Sequence, residues 1–315
     1  MTGDSSRERA GAEHVAGVMT SYPMARLTTV RTGGTADHFA LAGTEERLLE
    51  LLRWADAEGI RVGVVGSGSN LLVADDGFRG LAIKLDGELA TIERQGVRVL
   101  CGGGARLPSA SAKAAGWGLS GLEFGVNIPG TVGGAVKMNA NAYGGELART
   151  LEWVDVCTAR GSVRRTPDEL GFRYRRSDLD SGEVVSSASF RLVEGDPAEI
   201  KATLAGMRDK RREAQPSGIK TFGSTFTNPR DPRAEGRTAG QLLEAAGCRG
   251  LGRGGARFSE VHANFIENTG DATTADVLAV MAEGRRRVHE RFGITLEPEV
   301  QVLGDVEWPE DWELS

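Results

Sequence analysis

Apolar residues recur along this chain at two different spacings, which predict a fold that contains both helices and strands. Between Leu48 and Ala55 they recur with helical spacing behind Thr44, a suitable N-cap, so this segment is predicted as an amphipathic helix. Further helices are predicted over 107–117, 197–215, 239–246 and 275–292. Short apolar runs bounded by turn residues predict strands over 60–65, 71–73, 81–85, 97–101, 151–159, 183–193, 263–267 and 294–303.

Glycine is the one residue type whose abundance departs from that of an ordinary globular protein. The chain has 315 residues, too many for one typical core, which predicts about two or three domains. Of these residues 44 are glycine, about twice the usual share of ~7%. The glycines follow apolar segments without a fixed period. This pattern indicates a backbone brought close to a large ligand.

Charge and cysteine usage exclude several classes of protein. The formal charge is -6, and the short basic cluster at 208–213 is mixed with acids, typical of a solvated helix face. The sequence therefore predicts no nucleic-acid partner. Cys101, Cys157 and Cys248 form no CxxC pair, so neither a zinc site nor a disulfide framework is predicted. The polar start and the absence of a ~20-residue apolar run predict a cytoplasmic protein without membrane insertion.

Two glycine-rich segments are candidate ligand loops. Gly66-Ser-Gly-Ser-Asn70 follows a predicted strand, and the N–H groups of such a turn cradle phosphate oxygens. A plain tight turn explains this segment equally well. The run from Asn127 to Gly144 is too rich in small residues to build a core, which favours a backbone that wraps a dinucleotide. The surrounding segment 118–146 is predicted as mostly loop.

Three further segments carry candidate chemistry. Three arginines crowd around Tyr174, although a charged turn is an equal explanation. The segment 221–229 alone resembles an ordinary loop rich in serine and threonine. Glu299 lies in a predicted late strand, where an acid is more often exposed at an edge than catalytic. No HxxxH spacing indicates a metal site, and no G-x-S-x-G elbow indicates a serine hydrolase.

Taken in order, these segments resemble the UDP-N-acetylenolpyruvoylglucosamine reductases, also called UDP-N-acetylmuramate dehydrogenases. The resemblance runs from about Leu27 to Leu303. It rests on Thr32-Gly-Gly-Thr-Ala36, Gly66-Ser-Gly-Ser-Asn-Leu-Leu-Val73, Asn127-Ile-Pro-Gly-Thr-Val-Gly-Gly134, Met138-Asn-Ala-Asn-Ala-Tyr-Gly144, Tyr174-Arg-Arg-Ser177, Gly223-Ser-Thr-Phe-Thr-Asn-Pro229, Ser259-Glu-Val-His-Ala-Asn-Phe265 and Glu297-Pro-Glu-Val300.

The resemblance implies an α+β fold with a vanillyl-alcohol-oxidase-type (PCMH-like) two-part FAD-binding region and a C-terminal α+β substrate-binding domain. The FAD-binding region would span 23–200 and split near 86, and the substrate-binding domain would span 201–304. A flexible arm at 1–22 and an acidic tail at 305–315 would flank them. The short spacing between Tyr174 and Gly223 resembles the shorter subtype, which lacks a substrate-covering tyrosine loop.

The family reaction implied for this chain reduces an enolpyruvyl UDP-amino-sugar to UDP-N-acetylmuramate in peptidoglycan precursor synthesis. NADPH reduces a non-covalently bound FAD, which then reduces the vinyl group of the sugar. By resemblance, Arg175 stabilises the enolate that develops on the substrate carboxylate. Glu299 positions or polarises this enolate, and Ser224 delivers the proton to the adjacent carbon. The protein is expected to act as a monomer.

The resemblance also implies binding residues. The implied cofactor contacts are Gly66, Ser67, Gly68, Ser69, Asn70, Leu71, Asn127, Ile128, Gly130, Thr131, Gly133, Gly134, Ala135 and Asn139. The implied substrate contacts are Tyr174, Arg212, Asn228 and His262. Two positions depart from the family pattern: Asn141 replaces a usual glycine, and Thr227 replaces a common lysine near the substrate diphosphate.

Two other functions are compatible with the same fold. One is a flavin oxidase that uses oxygen instead of NADPH, which has no need of Arg175, Ser224 and Glu299 together. The other is a non-catalytic flavin or UDP-sugar sensor, which is expected to have lost at least one of the three. The presence of all three residues in this sequence favours the reductase.

Overall fold

The computed structural model describes residues 15–216 and 218–312, which fold into three main β-sheets with helices packed against them. The α-helices in these ranges are α1 Glu45–Ala57, α2 Leu107–Gly116, α3 Val132–Lys137, α4 Pro197–Ala214, α5 Ala239–Ala245 and α6 Thr274–Phe292. The strands are β1 Met19–Pro23, β2 Thr35–Ala42, β3 Val62–Val64, β4 Leu71–Val73, β5 Phe78–Leu85, β6 Ile92–Gln95, β7 Arg98–Gly102, β8 Leu119–Ser120, β9 Asn141–Ala142, β10 Gly145–Glu146, β11 Leu151–Thr158, β12 Gly161–Arg165, β13 Val184–Arg191, β14 Val193–Glu194, β15 Lys220–Ser224, β16 Gly252–Arg253, β17 Ala256–Phe258, β18 Phe265–Asn268 and β19 Gln301–Leu303.

The first sheet has the strand order β1-β2-β5-β3, with β2, β5 and β3 parallel and β1 antiparallel at the edge. Helix α1 buries Leu48 and Leu51 in one cluster with Ile83 of the sheet. The predicted N-cap is confirmed, because the Thr44 side chain accepts a hydrogen bond from the Arg47 N–H at 3.2 Å. The helical spacing of apolar residues therefore marks the face that covers this sheet.

The second sheet is antiparallel throughout, with the order β12-β11-β13-β7-β6. Helices α2 and α3 contact it, and its core includes the fully buried Leu107 and Phe190. Helix α4 packs against α2 through Ile200 and Leu204. These contacts fix one face of α4 against α2, which itself packs on the second sheet. The last turn of α4 reaches the region between the sheets.

The third sheet has the antiparallel order β15-β18-β17-β16 and packs on α5 and α6. Phe222 and Phe258 are fully buried in its core. The predicted N-cap of α6 is confirmed as a capping box. The Thr273 hydroxyl accepts from the Asp276 N–H at 3.0 Å, and the Asp276 carboxylate accepts from the Thr273 N–H at 3.0 Å.

Contacts between distant parts of the sequence connect the third sheet to the first. Strand β19 pairs in parallel with β4. The Asp75 carboxylate accepts the N–H groups of Thr274 and Ala275, both at 2.8 Å, and so satisfies the exposed donors at the start of α6. Arg61 donates two hydrogen bonds to Asp305, at 3.0 and 2.9 Å. These contacts set the two sheets in one orientation.

The predicted strand over 294–303 is wrong for most of its length, since only β19 is a strand. Residues 297–299 instead form isolated hydrogen bonds with the segment that follows β15. The Thr227 N–H donates to the Glu297 carbonyl at 2.9 Å, and the Glu299 N–H donates to the Thr225 carbonyl at 2.8 Å. The alternation of apolar residues therefore reflects burial of a single connecting segment, not membership of a sheet.

The prediction of 118–146 as mostly loop missed the helix α3. The hydroxyl of Thr131 accepts from the Gly134 N–H at 3.3 Å and caps this helix. The Gly133 N–H donates to the Gly103 carbonyl at 2.7 Å. Glycine disfavours helices, so these tertiary hydrogen bonds have overridden the local preference.

The predicted domain limits stay predictions, and three of them can be compared with the helices and strands. Residues 1–14 of the predicted arm lie outside the described residues, whereas 19–22 belong to β1. The limit at 200 falls within α4, and the split near 86 falls between β5 and β6. Among the described residues, no helix combines the length and apolarity needed to cross a bilayer.

Candidate functional site

A cleft of about 870 Å³ is lined by residues from all three sheets. The lining includes residues from the segments 62–71, 103–106, 127–143, 174–185, 222–228 and 299–303. It contains Arg175, Ser224 and Glu299, and all but one of the predicted cofactor contacts. Residues distant in sequence therefore meet at one site, whose volume is at the upper end of the range typical of ligand pockets.

The loop 66–70 presents unpaired hydrogen-bond donors to this cleft. Among the described residues, none of the backbone N–H groups of this loop has a protein acceptor. Gly68 adopts a φ of +67°, and a Cβ there would lie 1.8 Å from the Leu27 carbonyl oxygen, so only glycine fits. A row of free N–H groups in a tight turn is suited to the oxygens of a phosphate or diphosphate.

The loop 127–134 lines the cleft in a different way. Its Val132 N–H donates to the Ala105 carbonyl at 2.8 Å, which holds the loop against the second sheet. A Cβ added at Gly130 or Gly134 would meet no heavy atom nearer than 3.4 Å. The surface at these two glycines is therefore uncrowded by other protein atoms, and a flat ring system or a ribityl chain could lie against it. Together the two loops suit a dinucleotide such as FAD.

Asn139 is the one predicted cofactor contact that does not line the cleft. Its side chain is buried, and its Nδ2 donates to Glu146 Oε1 at 2.7 Å and to the Arg173 carbonyl at 3.2 Å. Asn139 therefore connects the β9–β10 hairpin to the arginine-rich turn. Its direct cofactor contact stays a prediction, whereas its side chain holds this turn in place.

Arg175 and Glu299 form an ion pair in the wall of the cleft, with Arg175 Nε 2.9 Å from Glu299 Oε1. Arg175 has a φ of +59°, a strained conformation for a residue other than glycine and one that concentrates at functional sites. Its Nη1 also donates to the Asn141 carbonyl at 3.2 Å. Burial raises the pKa of Glu299, and the charge of Arg175 opposes this shift.

Ser224 lies at the end of β15, and backbone hydrogen bonds hold the next residues between two neighbouring segments. The Thr225 N–H donates to the Asn264 carbonyl, and the Thr225 carbonyl accepts from the Glu299 N–H, both at 2.8 Å. Asn264 also pairs both polar atoms of its amide with the backbone of Phe226. Ser224 and Glu299 are therefore fixed relative to each other by one short hydrogen-bonded unit.

The four predicted substrate contacts divide into two groups. Tyr174 and Asn228 line the cleft. Arg212 does not line it; its side chain is 76% exposed and pairs with Asp209 of the same helix. His262 also lies outside the lining: it packs edge-on against Phe265, and burial lowers its pKa. The structure therefore brings two of the four predicted contacts to the site.

Several cleft residues were missed by the sequence interpretation, and cations are prominent among them. Arg211, next to the predicted Arg212, lines the cleft and donates to the Asn127 carbonyl. Ile200, Leu204 and Arg211 recur at helical spacing on the buried face of α4, a signal that favoured Arg211. Among the lining residues, six cations face three carboxylates: Lys84, Arg106, Lys137, Arg175, Lys210 and Arg211 against Asp180, Glu183 and Glu299.

This excess of positive charge contrasts with the formal charge of -6 for the whole chain. A cleft that concentrates cations attracts anionic ligands such as phosphorylated nucleotides. Among the described residues, no cluster of three or more histidine, cysteine or acidic side chains has the arrangement of a metal site.

Family models match two parts of the chain. An FAD-binding domain model matches residues 36–167, and the model of the UDP-N-acetylenolpyruvoylglucosamine reductase C-terminal domain matches residues 215–303. The FAD cofactor predicted from the sequence is supported by the first match. The α+β fold with a two-part FAD-binding region and a C-terminal domain is confirmed.

Relatives of similar length resemble the chain over most of its residues. UDP-N-acetylenolpyruvoylglucosamine reductase 2 of Symbiobacterium thermophilum is 41% identical over 91% of this chain and 92% of its own. The reductase of Paramagnetospirillum magneticum is 43% identical over 90% of both chains. The crystal structure of UDP-N-acetylenolpyruvylglucosamine reductase from Thermus caldophilus matches with a TM-score of 0.77 and 37% identity, covering 93% of this chain and 98% of that one. The chain belongs to the UDP-N-acetylenolpyruvoylglucosamine reductase family.

Proposed function

We propose that this protein uses NADPH to reduce the vinyl group of UDP-N-acetyl-3-O-(1-carboxyvinyl)-glucosamine, giving UDP-N-acetylmuramate, a cytoplasmic step in peptidoglycan precursor synthesis. The observation that carries the proposal is the meeting of Arg175, Ser224 and Glu299 in one cationic cleft. The names of the relatives support the substrate class. A carboxylate, a diphosphate and two nucleotides would all find complementary groups there.

The cofactor implied by the family is FAD, and the residues of the cleft fit it. The free N–H groups of 66–70 would hold its pyrophosphate, and the open surface at Gly130 and Gly134 would receive the rest. When bound, FAD would carry reducing equivalents from NADPH to the sugar. We propose non-covalent binding, because no histidine or cysteine lies in either loop.

Arg175 would bind the carboxylate of the enolpyruvyl group. Its guanidinium is already oriented by Glu299 and by the Asn141 carbonyl. A planar, permanently charged group stabilises negative charge that develops on a carboxylate during the reaction. The buried Glu299 holds its proton more tightly than a free glutamate, as its raised pKa indicates. In that form it would donate a hydrogen bond to the same carboxylate.

Ser224 would supply the proton that completes the reduction. Ser224 lines the cleft with Arg175 and Glu299, and hydrogen bonds of Thr225 tie its strand to the Glu299 segment. A serine hydroxyl is a weak acid, so it serves only if it is held in line with a strongly basic carbon. Tyr174 and Asn228 would contact the nucleotide sugar, whereas we propose no substrate contact for Arg212 and His262.

The decisive experiment separates the two half-reactions. The yellow protein should bleach with NADPH under anaerobic conditions and regain its colour when the enolpyruvyl sugar is added. Ser224→Ala should bleach normally yet recover colour roughly 10²–10⁴-fold more slowly, and Ser224→Cys should recover part of the rate. Ser162→Ala, on the exposed edge strand β12, is the matched control and should behave as wild type.

The alternatives give different results in the same experiment. An oxidase that uses oxygen instead of NADPH would not bleach with NADPH, and after chemical reduction it would regain colour with oxygen but not with the sugar. A sensor would not bleach with NADPH and, after chemical reduction, would not be reoxidised by the sugar. Normal recovery in Ser224→Ala at saturating sugar would remove Ser224 from the mechanism while leaving the overall reaction intact. Protein that is denatured and filtered should release all its flavin; colour retained by the polypeptide would contradict non-covalent binding.

A further inference from the structure

Two guanidinium groups lie near the ring of Tyr174, which lines the cleft. Cζ of Arg230 is 5.0 Å from the ring centroid, and Cζ of Arg175 is 5.6 Å from it. Arg230 follows Asn228, another lining residue, by two positions. Arg230 itself is not among the lining residues, but the turn after β15 holds it against the ring of Tyr174, which borders the cleft.

The charge of Arg230 is uncompensated. Among the residues that the structure describes, no carboxylate lies within 4 Å of its guanidinium, whereas Arg175 is paired with Glu299. The next arginine in the same turn, Arg233, is paired with Asp231 at 2.6 Å. An exposed cation that packs on an aromatic face without an acidic partner is available for an anionic ligand.

The neighbouring position 227 offers no cation of its own. The Thr227 N–H donates to the Glu297 carbonyl at 2.9 Å, and its hydroxyl lies 3.4 Å from the same oxygen. Thr227 therefore bonds to the backbone of the neighbouring segment. It supplies no positive charge to an anionic group of a ligand that binds beside Asn228. Three residues further along, this turn does place a charged side chain, that of Arg230, beside Tyr174 at the edge of the cleft.

We propose that Arg230 binds the diphosphate of the nucleotide-sugar substrate and that the ring of Tyr174 keeps the Arg230 guanidinium in position for this contact. This assignment rests on the proposed function, because it requires a nucleoside diphosphate in the cleft. The planar guanidinium matches two phosphate oxygens at once, and its contact with the ring limits the freedom that it would lose on binding. The diphosphate would then lie at the rim and the enolpyruvyl group deeper, beside Arg175.

The test uses FAD-loaded protein and measures the affinity for UDP and for uridine by calorimetry. Arg230→Ala should weaken UDP binding roughly 10- to 100-fold, the range for loss of a charge-assisted contact, without changing uridine binding. Arg233→Ala, which removes an arginine from the same turn, is the matched control and should bind UDP as wild type. In the Arg230→Ala background, Thr227→Lys should restore much of the UDP affinity by returning a cation to this turn.

Three results would overturn the assignment. Equal UDP affinity in wild type and Arg230→Ala would show that the side chain takes no part, with the proposed reaction untouched. If Arg230→Ala and Arg233→Ala weakened UDP binding equally, the effect would come from the general positive potential of this surface and not from a contact of Arg230. A wild-type protein that binds neither UDP nor the enolpyruvyl sugar would refute the proposed function and this assignment together.

Discussion

The buried side chain of Asn264 holds the backbone two residues after Ser224, and its replacement by alanine gives the sharpest structural prediction. Its Nδ2 donates to the Phe226 carbonyl at 2.8 Å, and its Oδ1 accepts from the Phe226 N–H at 2.9 Å. The side-chain amide thus takes the place of a partner strand for Phe226. Asn264 is 4% exposed and Phe226 is 1% exposed, so water does not replace these bonds in the native fold.

The expected loss of stability follows from these two bonds. Asn264→Ala leaves one N–H and one carbonyl of Phe226 buried without partners, and each such group costs about 1–3 kcal/mol. The two together cost about 2–6 kcal/mol, which is a large share of the ~5–15 kcal/mol that stabilises a typical domain. The variant should still fold at low temperature. The strand that carries Ser224 would lose its fixed distance from the Glu299 segment, and kcat should fall about 100-fold.

Asn268→Ala is the matched control for this prediction. Asn268 ends the same strand, β18, is 6% exposed and also bonds both ends of its amide, to the backbone of Val30, Gly270 and Ala272. Its loss should lower the free energy of unfolding, measured with urea, by a similar amount without lowering kcat of the folded protein. An equal fall in kcat for both variants, or a normal kcat in Asn264→Ala, would refute the positioning argument.

Three other outcomes test the chemistry of the site and the core. Arg175→Lys should slow sugar-dependent reoxidation of the flavin roughly hundredfold in stopped-flow measurements, with bleaching by NADPH nearly unchanged; equal slowing would contradict its role. Burial raises the pKa of Glu299, so the rate supported by its proton should fall as pH rises through that raised pKa, and Glu299→Gln should abolish this limb of the pH profile. Burial raises the pKa of Cys101 to about 12 and that of Cys248 to about 11, so neither should react with iodoacetamide at pH 8 until the protein is denatured, as mass spectrometry would show.

Elements with strong local signals could be predicted from the sequence. The boundaries of α2 and α6 are within about one residue of those predicted, because apolar spacing acts locally and, at α6, so does the capping box. The helix α3 could not be predicted in the same way. Its glycines oppose helix formation, and it exists because Gly103 and Ala105, nearly thirty residues earlier, accept hydrogen bonds from its first turn.

The composition of the candidate site was predictable mainly through the resemblance to a known family. Local patterns alone left Tyr174 in a charged turn and Glu299 at an exposed edge. Glu299 reaches the cleft because 297–299 bond to the segment that follows β15. The turn with Tyr174 is held through Arg173 by the distant Asn139, and neither contact has a local sequence signal. Arg212 shows the limit of transferring a contact by alignment, because a shift of one residue turns a helical side chain by 100°, and Arg211 faces the cleft instead.

The two glycine-rich loops differ in how their backbone N–H groups are used, and their composition alone does not show this difference. The loop 127–134 looked the stronger ligand site, yet hydrogen bonds to Gly103 and Ala105 already occupy the N–H groups of Val132 and Gly133. The short loop 66–70 looked like an ordinary turn, yet among the described residues its five N–H groups have no protein acceptor. Glycine content reports how closely two backbones approach, whether or not a ligand lies between them. Free N–H groups show what a ligand must supply, so we propose that the anionic part of the cofactor binds at 66–70 and that its uncharged part lies along 127–134.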